Sequence, residues 1–224
     1  MIWLIGNKGM LGNDVEKLLK ERGLTYWATD KEVDIGDYKA LEKFGKDKKI
    51  KWIINCSGYT KVDKAEEEIE EAFRINKDGV RNIALFSVKR QIKLIHISTD
   101  YVFDGRQEST AAYSEDDKTN PINIYGKSKL AGEEVIKKIL EEYFIIRTAW
   151  LCGLQGNNFI YTMLRLFKER DLVKVVEDQW GSPTYTVDLA GAILKMIEDD
   201  SVSYGIYHFT NEGMTCLLYT SDAA

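Results

Sequence analysis

The chain has 224 residues, 44% hydrophobic and 30% charged, which fits one large α/β domain or one domain with a small extension and excludes a disordered chain. Its formal net charge of -5, from 31 basic and 36 acidic residues in mixed order, argues against a general nucleic-acid binder, which needs a basic face to displace counterions. No apolar run reaches the roughly 18 residues of a membrane span. The three cysteines, Cys56, Cys152 and Cys216, are odd in number and form no CxxC pair, so they read as reduced thiols. With no signal-peptide pattern before the first strand, a cytoplasmic protein is expected.

Met1–Ile5 is a short apolar run, followed by Gly6, Gly9 and Gly12 in the spacing GxxGxxG. Leu11, Val15, Leu18 and Leu19 then recur at helical spacing, and Gly23 is placed to end that helix. Strand, glycine turn and helix form the context of a dinucleotide site. Gly6 would allow the tight turn, Gly9 the approach of a pyrophosphate, and Gly12 close packing of helix on strand. A plain βα turn remains the alternative. Leu24–Thr29 reads as a second strand with Asp30 at its end, where an acid would bond an adenosine ribose and repel a 2′-phosphate. That leans towards NAD, although Lys31 is adjacent and offsets it. Asp34 and Ile35 lie in a loop that either flanks an adenine or is simply solvated.

Tyr38–Lys49 reads as a short polar helix and Trp52–Asn55 as the third strand, with Cys56–Asp63 an irregular segment beside any bound cofactor. Glu66–Phe86 is expected as one long helix, interrupted on its apolar face by Asn76, which reads as a satisfied polar group. Lys93–Ile97 is the next strand, and His96 within it reads as a structural residue of the sheet. Polar loop, helix Tyr125–Glu142 and strand Tyr143–Thr148 follow. The repeated strand–helix rhythm predicts a Rossmann-type doubly wound parallel sheet with helices on both faces. After Trp150 the pattern loosens into a helix from Asn157 through Lys168, a strand at Lys174–Val176, a turn-rich loop Gln179–Thr184, a helix Val187–Ile197 and a strand Gly205–Phe209. The expected organisation is a cofactor-binding core over 1–150, a remaining strand with a partial, truncated substrate lobe over 151–216, and a non-native tail at 217–224, the natural gene being longer.

Two stretches carry chemistry. Ser98, Thr99 and Asp100 place hydroxyls and a carboxylate at the end of a buried strand. Tyr125 and Lys129 stand four residues apart, on one face of a helix. A cation near a phenol favours the phenolate, so Lys129 is expected to lower the Tyr125 pKa. Such a pair can give a proton to a carbonyl that is receiving a hydride.

Taken together, these motifs resemble the extended short-chain dehydrogenase/reductase superfamily. Within it, Gly6–Gly12, Tyr59–Glu66 (YTKVDKAE), Ser98–Gly105 (STDYVFDG), Tyr125–Glu133 (YGKSKLAGE), Arg147–Trp150 and Gly156–Phe159 resemble the dTDP-4-dehydrorhamnose reductase family, over nearly everything up to about Gly213. The resemblance implies reduction of the C4 ketone of a dTDP-linked 6-deoxy sugar by NADPH or NADH. It implies Tyr125 as proton donor, Lys129 as its partner and holder of the nicotinamide ribose, and Thr99 as the hydroxyl beside the carbonyl. Gly9, Met10 and Leu11 would contact the cofactor phosphates, Asp34 and Ile35 the adenosine, and Gly58, Tyr59 and Thr60 the cofactor groove. Asp100 and Trp150 would touch the sugar, and Trp150, Asn158 and Gln179 are the residues to exchange in testing substrate choice. Mg2+ and a homodimer are family features, yet no carboxylate metal cluster stands out. Cys152 departs from the aromatic that relatives often carry. Two other readings stand beside this one. One is a related nucleotide-sugar reductase or epimerase; the other is a non-catalytic cofactor-binding subunit like the regulatory subunit of methionine adenosyltransferase.

Overall fold

The structure, a computed structural model, describes residues 1–105, 112–175, 179–212 and 215–216. β1 (Ile2–Ile5) is buried along its whole length, as a central parallel strand must be when helices cover both faces of its sheet. Its side chains alternate: Trp3 and Ile5 face one helix layer, Ile2 and Leu4 the other. α1 (Met10–Glu21) returns to β2 (Tyr26–Thr29), and α2 (Tyr38–Gly45) leads to β3 (Trp52–Asn55). Gly23 takes φ of 65° just past α1, which is where a helix stop needs a left-handed residue.

The expected long helix over Glu66–Phe86 is broken. A 3₁₀ turn at Asp63–Glu66 and α3 (Ile69–Phe73) run into a π-helical segment at Arg74–Gly79, and only then does α4 (Val80–Arg90) begin. The wider π turn carries Asn76 into the interior, where it is fully buried. β4 (Lys93–Thr99) is two residues longer than the apolar run suggested. α5 (Ile124–Ile139) and β5 (Tyr143–Thr148) follow.

Beyond β5, β6 (Leu151–Cys152), α6 (Phe159–Glu169), β7 (Trp180–Gly181), β8 (Thr184–Tyr185), α7 (Thr186–Glu198), β9 (Gly205–His208) and β10 (Thr215–Cys216) complete the chain. Six parallel strands make one sheet in the order β2-β1-β3-β4-β5-β9. β6 pairs with β8 and β7 with β10 in two small ribbons, so the loop expected at Gln179–Thr184 contains short strands. The strand expected at Lys174–Val176 is absent at Lys174 and Val175, while Val176 lies outside the described residues. The tail at 217–224 lies outside them as well.

α2, α4 and α5 cover one face of the sheet around Trp3, Leu41, Ile53, Phe86 and Leu94. α1 and α7 cover the other, around Leu4, Val15, Ile54, Phe144 and Ile193. Among the described residues no helix is long and apolar enough to cross a membrane. The chain order reverses between β1 and β3, and the crevice at the carboxyl ends of those strands is where such sheets bind ligands.

Candidate active site

The turn after β1 is built for a close backbone approach. Gly6 adopts φ of 82°, and the Gly6 and Asn7 N–H groups donate to the Thr29 carbonyl at 2.7 and 3.2 Å. A Cβ on Gly12 would run into the Gly6 carbonyl oxygen, so only glycine lets α1 sit this near the turn. Gly9 is the N-cap of α1 and no side chain caps the helix. The amides of its first turn, including those of Met10 and Leu11, thus point out of the positive end of a helix with no side chain to satisfy them. Leu11 offers only its backbone, because its side chain is in the core. The buried Asn7 Oδ1 has no hydrogen-bond partner among the described residues.

Gly58 lies across the crevice from this turn, past the end of β3. A Cβ there would stand 3.3 Å from Asn76 Oδ1, tighter than usual, and 3.8 Å from Lys129 Nζ, so the segment passes close to both side chains. Asn76 fixes the neighbouring segment: it accepts from the Tyr59 N–H at 2.8 Å, and donates to the Tyr59 carbonyl at 3.0 Å and to the Ser128 hydroxyl at 2.9 Å. The Tyr59 hydroxyl donates to Glu68 at 2.7 Å, and Thr60 is exposed.

β4 ends on Thr99, whose hydroxyl donates to Asp100 Oδ1 at 3.0 Å and accepts from the Tyr101 N–H at 3.3 Å. The start of α5 is set by Asn123, which accepts from the Gly126 N–H at 2.7 Å, and by Glu66, which accepts from the Ile124 N–H at 2.8 Å. A Cβ on Gly126 would strike the Tyr101 carbonyl, so the first turn of α5 lies directly against the end of β4. That contact brings the Tyr125 phenol close to the Thr99 hydroxyl, with its ring edge-on to Tyr101 at 5.7 Å.

Lys129 is one turn along and 5% exposed. Its Nζ donates to the Ile97 carbonyl at 2.6 Å and lies 3.4 Å from His96 Nε2. Burial pushes its pKa down to about 8, against the pull of Glu133. The expected lowering of the Tyr125 pKa is not found. Burial pushes that phenol up to about 12; the nearby Thr99 hydroxyl opposes the rise, and the charge of Asp100 and the neighbouring Tyr101 add to it. The two side chains share a helix face, but the lysine is turned to a β4 carbonyl and desolvation dominates the tyrosine. The consequence favours proton donation: Tyr125 stays protonated through neutral pH, beside a second hydroxyl.

The whole chain matches a family model described as the RmlD substrate binding domain, over residues 1–223. It is 40% identical to the dTDP-4-dehydrorhamnose reductase of Aggregatibacter actinomycetemcomitans over 215 residues, 93% of this chain and 72% of that one. The chain belongs to the dTDP-4-dehydrorhamnose reductase family. A crystal structure of such a reductase from Clostridium acetobutylicum superposes with a TM-score of 0.93 at 41% identity, covering 99% of this chain and 78% of that one. The Bacillus anthracis reductase in complex with NADP gives 0.92 at 41% identity, with the same coverage.

Other residues named from the sequence of this reductase-family chain fall into two groups. Asp30 is half-buried just past β2, with its N–H bonded to Glu32 at 2.9 Å. Trp150 follows β5 at φ of 43°, a strained value for a bulky residue, with its indole against Gly181. Gln179 is exposed next to β7. Three others are already committed. Asp34 is bridged to Arg74 at 2.9 Å, and the Ile35 side chain is buried in the core. Asn158 caps α6 by accepting from the Tyr161 N–H at 3.0 Å, and donates to the Gly153 carbonyl at 2.9 Å. Among the described residues no group of three or more His, Cys, Asp or Glu is set to hold a metal.

Residues to which the sequence reading gave no functional role hold the site from behind. Asn55 and His96 sit on neighbouring strands and bond each other at 3.0 Å. Glu133 on α5 meets Arg147 on β5 at 2.8 Å with both buried. The available signal was a polar residue inside an apolar run, as with Asn55 after Trp52–Ile54 and His96 between Ile95 and Ile97.

Proposed function

We propose that this chain reduces the C4 ketone of dTDP-4-dehydro-L-rhamnose to dTDP-L-rhamnose, using NADPH or NADH, as a step of dTDP-rhamnose biosynthesis. The observation that carries the proposal is that the buried Tyr125 phenol sits beside the Thr99 hydroxyl at the end of β4, with Lys129 one turn along α5. The glycine turn fits a dinucleotide: its uncapped helix start suits a pyrophosphate, and the segment at Gly58 runs beside Lys129. When bound, the reduced nicotinamide supplies the hydride.

The chain's own residues do the rest. Gly6, Gly9, Met10, Leu11 and Gly12 hold the phosphates through backbone N–H groups, with Asp30, Asp34 and the Ile35 backbone on the adenosine side. Gly58, Tyr59 and Thr60 line the groove. Lys129 holds the ribose. Thr99 and Tyr125 bind the carbonyl oxygen, and Tyr125 gives up its proton as alkoxide charge develops, which is where a donor lowers the barrier. Asp100, Trp150, Asn158 and Gln179 are assigned to the sugar side. Residues 1–150 form the cofactor-binding core, and 151–216 add the remaining sheet strand and a partial substrate lobe. A homodimer and a cytoplasmic setting complete the reading; a Mg2+ requirement has no carboxylate cluster behind it among the described residues.

The test follows oxidation of NADPH or NADH in the presence of dTDP-4-dehydro-L-rhamnose. Tyr125→Phe should lower turnover by about 10²–10⁴-fold, with cofactor affinity kept. Native chain that binds cofactor but turns over none of this ketone would overturn the substrate; unchanged turnover in Tyr125→Phe would overturn the proton donor.

A further inference from the structure

Lys129 is held from the sheet side by groups that the reaction itself does not use. His96 is fully buried on β4, with Nε2 3.4 Å from Lys129 Nζ and Nδ1 3.0 Å from Asn55 Nδ2. The position of the His96 proton follows from Asn55. Asn55 Oδ1 accepts from the Ser57 N–H at 3.1 Å and from the Ser57 hydroxyl at 2.5 Å. A backbone N–H can only donate, so Oδ1 must face Ser57 and Nδ2 must face His96. Nδ1 is then the acceptor and carries no proton. Burial first, then the charge on Lys129, hold His96 well below the ordinary imidazole range, so the ring is neutral and its single proton is on Nε2. That N–H faces the lysine amine. An ammonium there would set donor against donor, whereas an uncharged amine has a lone pair to accept with.

We propose that His96 is a positioning residue for Lys129: Asn55 locks its Nε2–H tautomer, that N–H favours the uncharged amine, and binding of an anionic dinucleotide draws a proton onto Lys129. The dinucleotide as ligand rests on the reductase reading above. Other groups around the amine are consistent with the coupling. Glu133, on the same helix, favours the ammonium but is neutralised by Arg147 at 2.8 Å. Cys56, past β3, stays a neutral thiol because burial pushes it up to about 12. The π-helical segment presents Asn76, which has no charge to offer. Asp100, at the end of β4, is itself raised by burial, and Tyr125 is protonated. With burial holding the amine near 8, the chain alone loses the Lys129 proton as pH rises past that value. Bound phosphates raise the affinity for that proton. Uptake on binding is therefore small well below pH 8 and climbs towards about one proton per chain above it.

Two measurements test this. The chain has two histidines, His96 and His208, so nitrogen NMR of the imidazole rings with a His208→Asn control identifies the His96 tautomer directly. The expected result is Nε2–H with no titration between about pH 6 and 9; an Nδ1–H ring, or a ring that titrates near 6.5, overturns the proposal. Second, calorimetry of NADPH binding in buffers of different ionisation enthalpy counts the protons taken up. His96→Phe should move the onset of uptake up by about one pH unit. His96→Gln, which keeps an N–H near the Nε2 position, should leave the onset close to native. A native onset in a His96→Phe chain that binds NADPH overturns the proposal, and should that variant fail to fold, the tautomer of the native chain still decides. A native chain that binds no NADPH overturns the reductase reading instead, and with it the proton coupling.

Discussion

Removing Glu133 should unfasten α5 from the sheet at a cost far above that of an ordinary ion pair. Its carboxylate is fully buried and takes the Arg147 Nη2–H at 2.8 Å, the Arg147 Nε–H at 3.1 Å and the Ser98 hydroxyl at 2.5 Å. Arg147 is 4% exposed, its other hydrogen bonds, to the Glu115 carbonyl and His208 Nε2, are both 3.4 Å, and its guanidinium lies 5.2 Å from the Phe103 ring. Glu133→Ala therefore leaves a buried guanidinium without its counter-charge, a change that costs about 3–5 kcal/mol. For a chain of this length each kcal/mol moves Tm by about 2–4 °C, so the midpoint should fall by roughly 6–20 °C. Replacing both partners, Glu133→Leu with Arg147→Met, removes the stranded charge together with its cause. The double variant should then lie within about 2 kcal/mol of native. Urea unfolding of the native chain, Glu133→Leu, Arg147→Met and the double variant gives the coupling energy directly. A Glu133→Ala cost under about 1 kcal/mol, or a double variant as damaged as the sum of the singles, would refute the reasoning.

Lys129→Met should abolish turnover yet stabilise the chain at pH 7 by about 1–3 kcal/mol. Burial lowers the Lys129 pKa from 10.5 to about 8, so the unfolded chain binds that proton more tightly and the lysine opposes folding at neutral pH. The opposition fades as pH rises from about 8 to 10.5, and the advantage of Met should fade with it; an advantage that grows with pH in urea titrations would contradict the sign. Asn76→Leu strips the Tyr59 N–H, the Tyr59 carbonyl and Ser128 of a buried partner, and should cost about 2–4 kcal/mol in the same titrations. A loss within about 0.5 kcal/mol would mean that the π turn closes without it.

Much of the architecture was legible because its signals are local. Trp52–Asn55 and Tyr143–Thr148 appear as strands with the bounds read from their apolar runs. The glycine spacing after β1 anticipated both the positive φ at Gly6 and the close approach at Gly12. Where the local signal misled, a distant partner had intervened. The apolar periodicity of Glu66–Phe86 continues through Asn76, but its amide is claimed by Tyr59 and Ser128, 17 and 52 residues away, and the helix opens a π turn to deliver it. Ile35 looked free in a polar loop; the core takes its side chain and leaves its carbonyl to Asn82 at 2.9 Å. Asn158 looked available to a ligand, and the start of α6 uses it as a cap.

By itself the sequence determined the alternation of strands and helices and the glycine turn after β1, and it singled out Thr99, Tyr125 and Lys129 as candidates. Residue types and short spacings are enough for these, since periodicity and the i to i+4 relation act within one element. Only the tertiary structure decided the proton states of that set. Whether Tyr125 titrates above or below its ordinary value depends on how much water is excluded and which charges remain near, and both are set by β4 closing against α5. The direction of Lys129 depends likewise on a carbonyl and an imidazole that stand 32 and 33 residues earlier in the chain. Desolvation and hydrogen-bond geometry belong to the packed whole, so no window of sequence contains them.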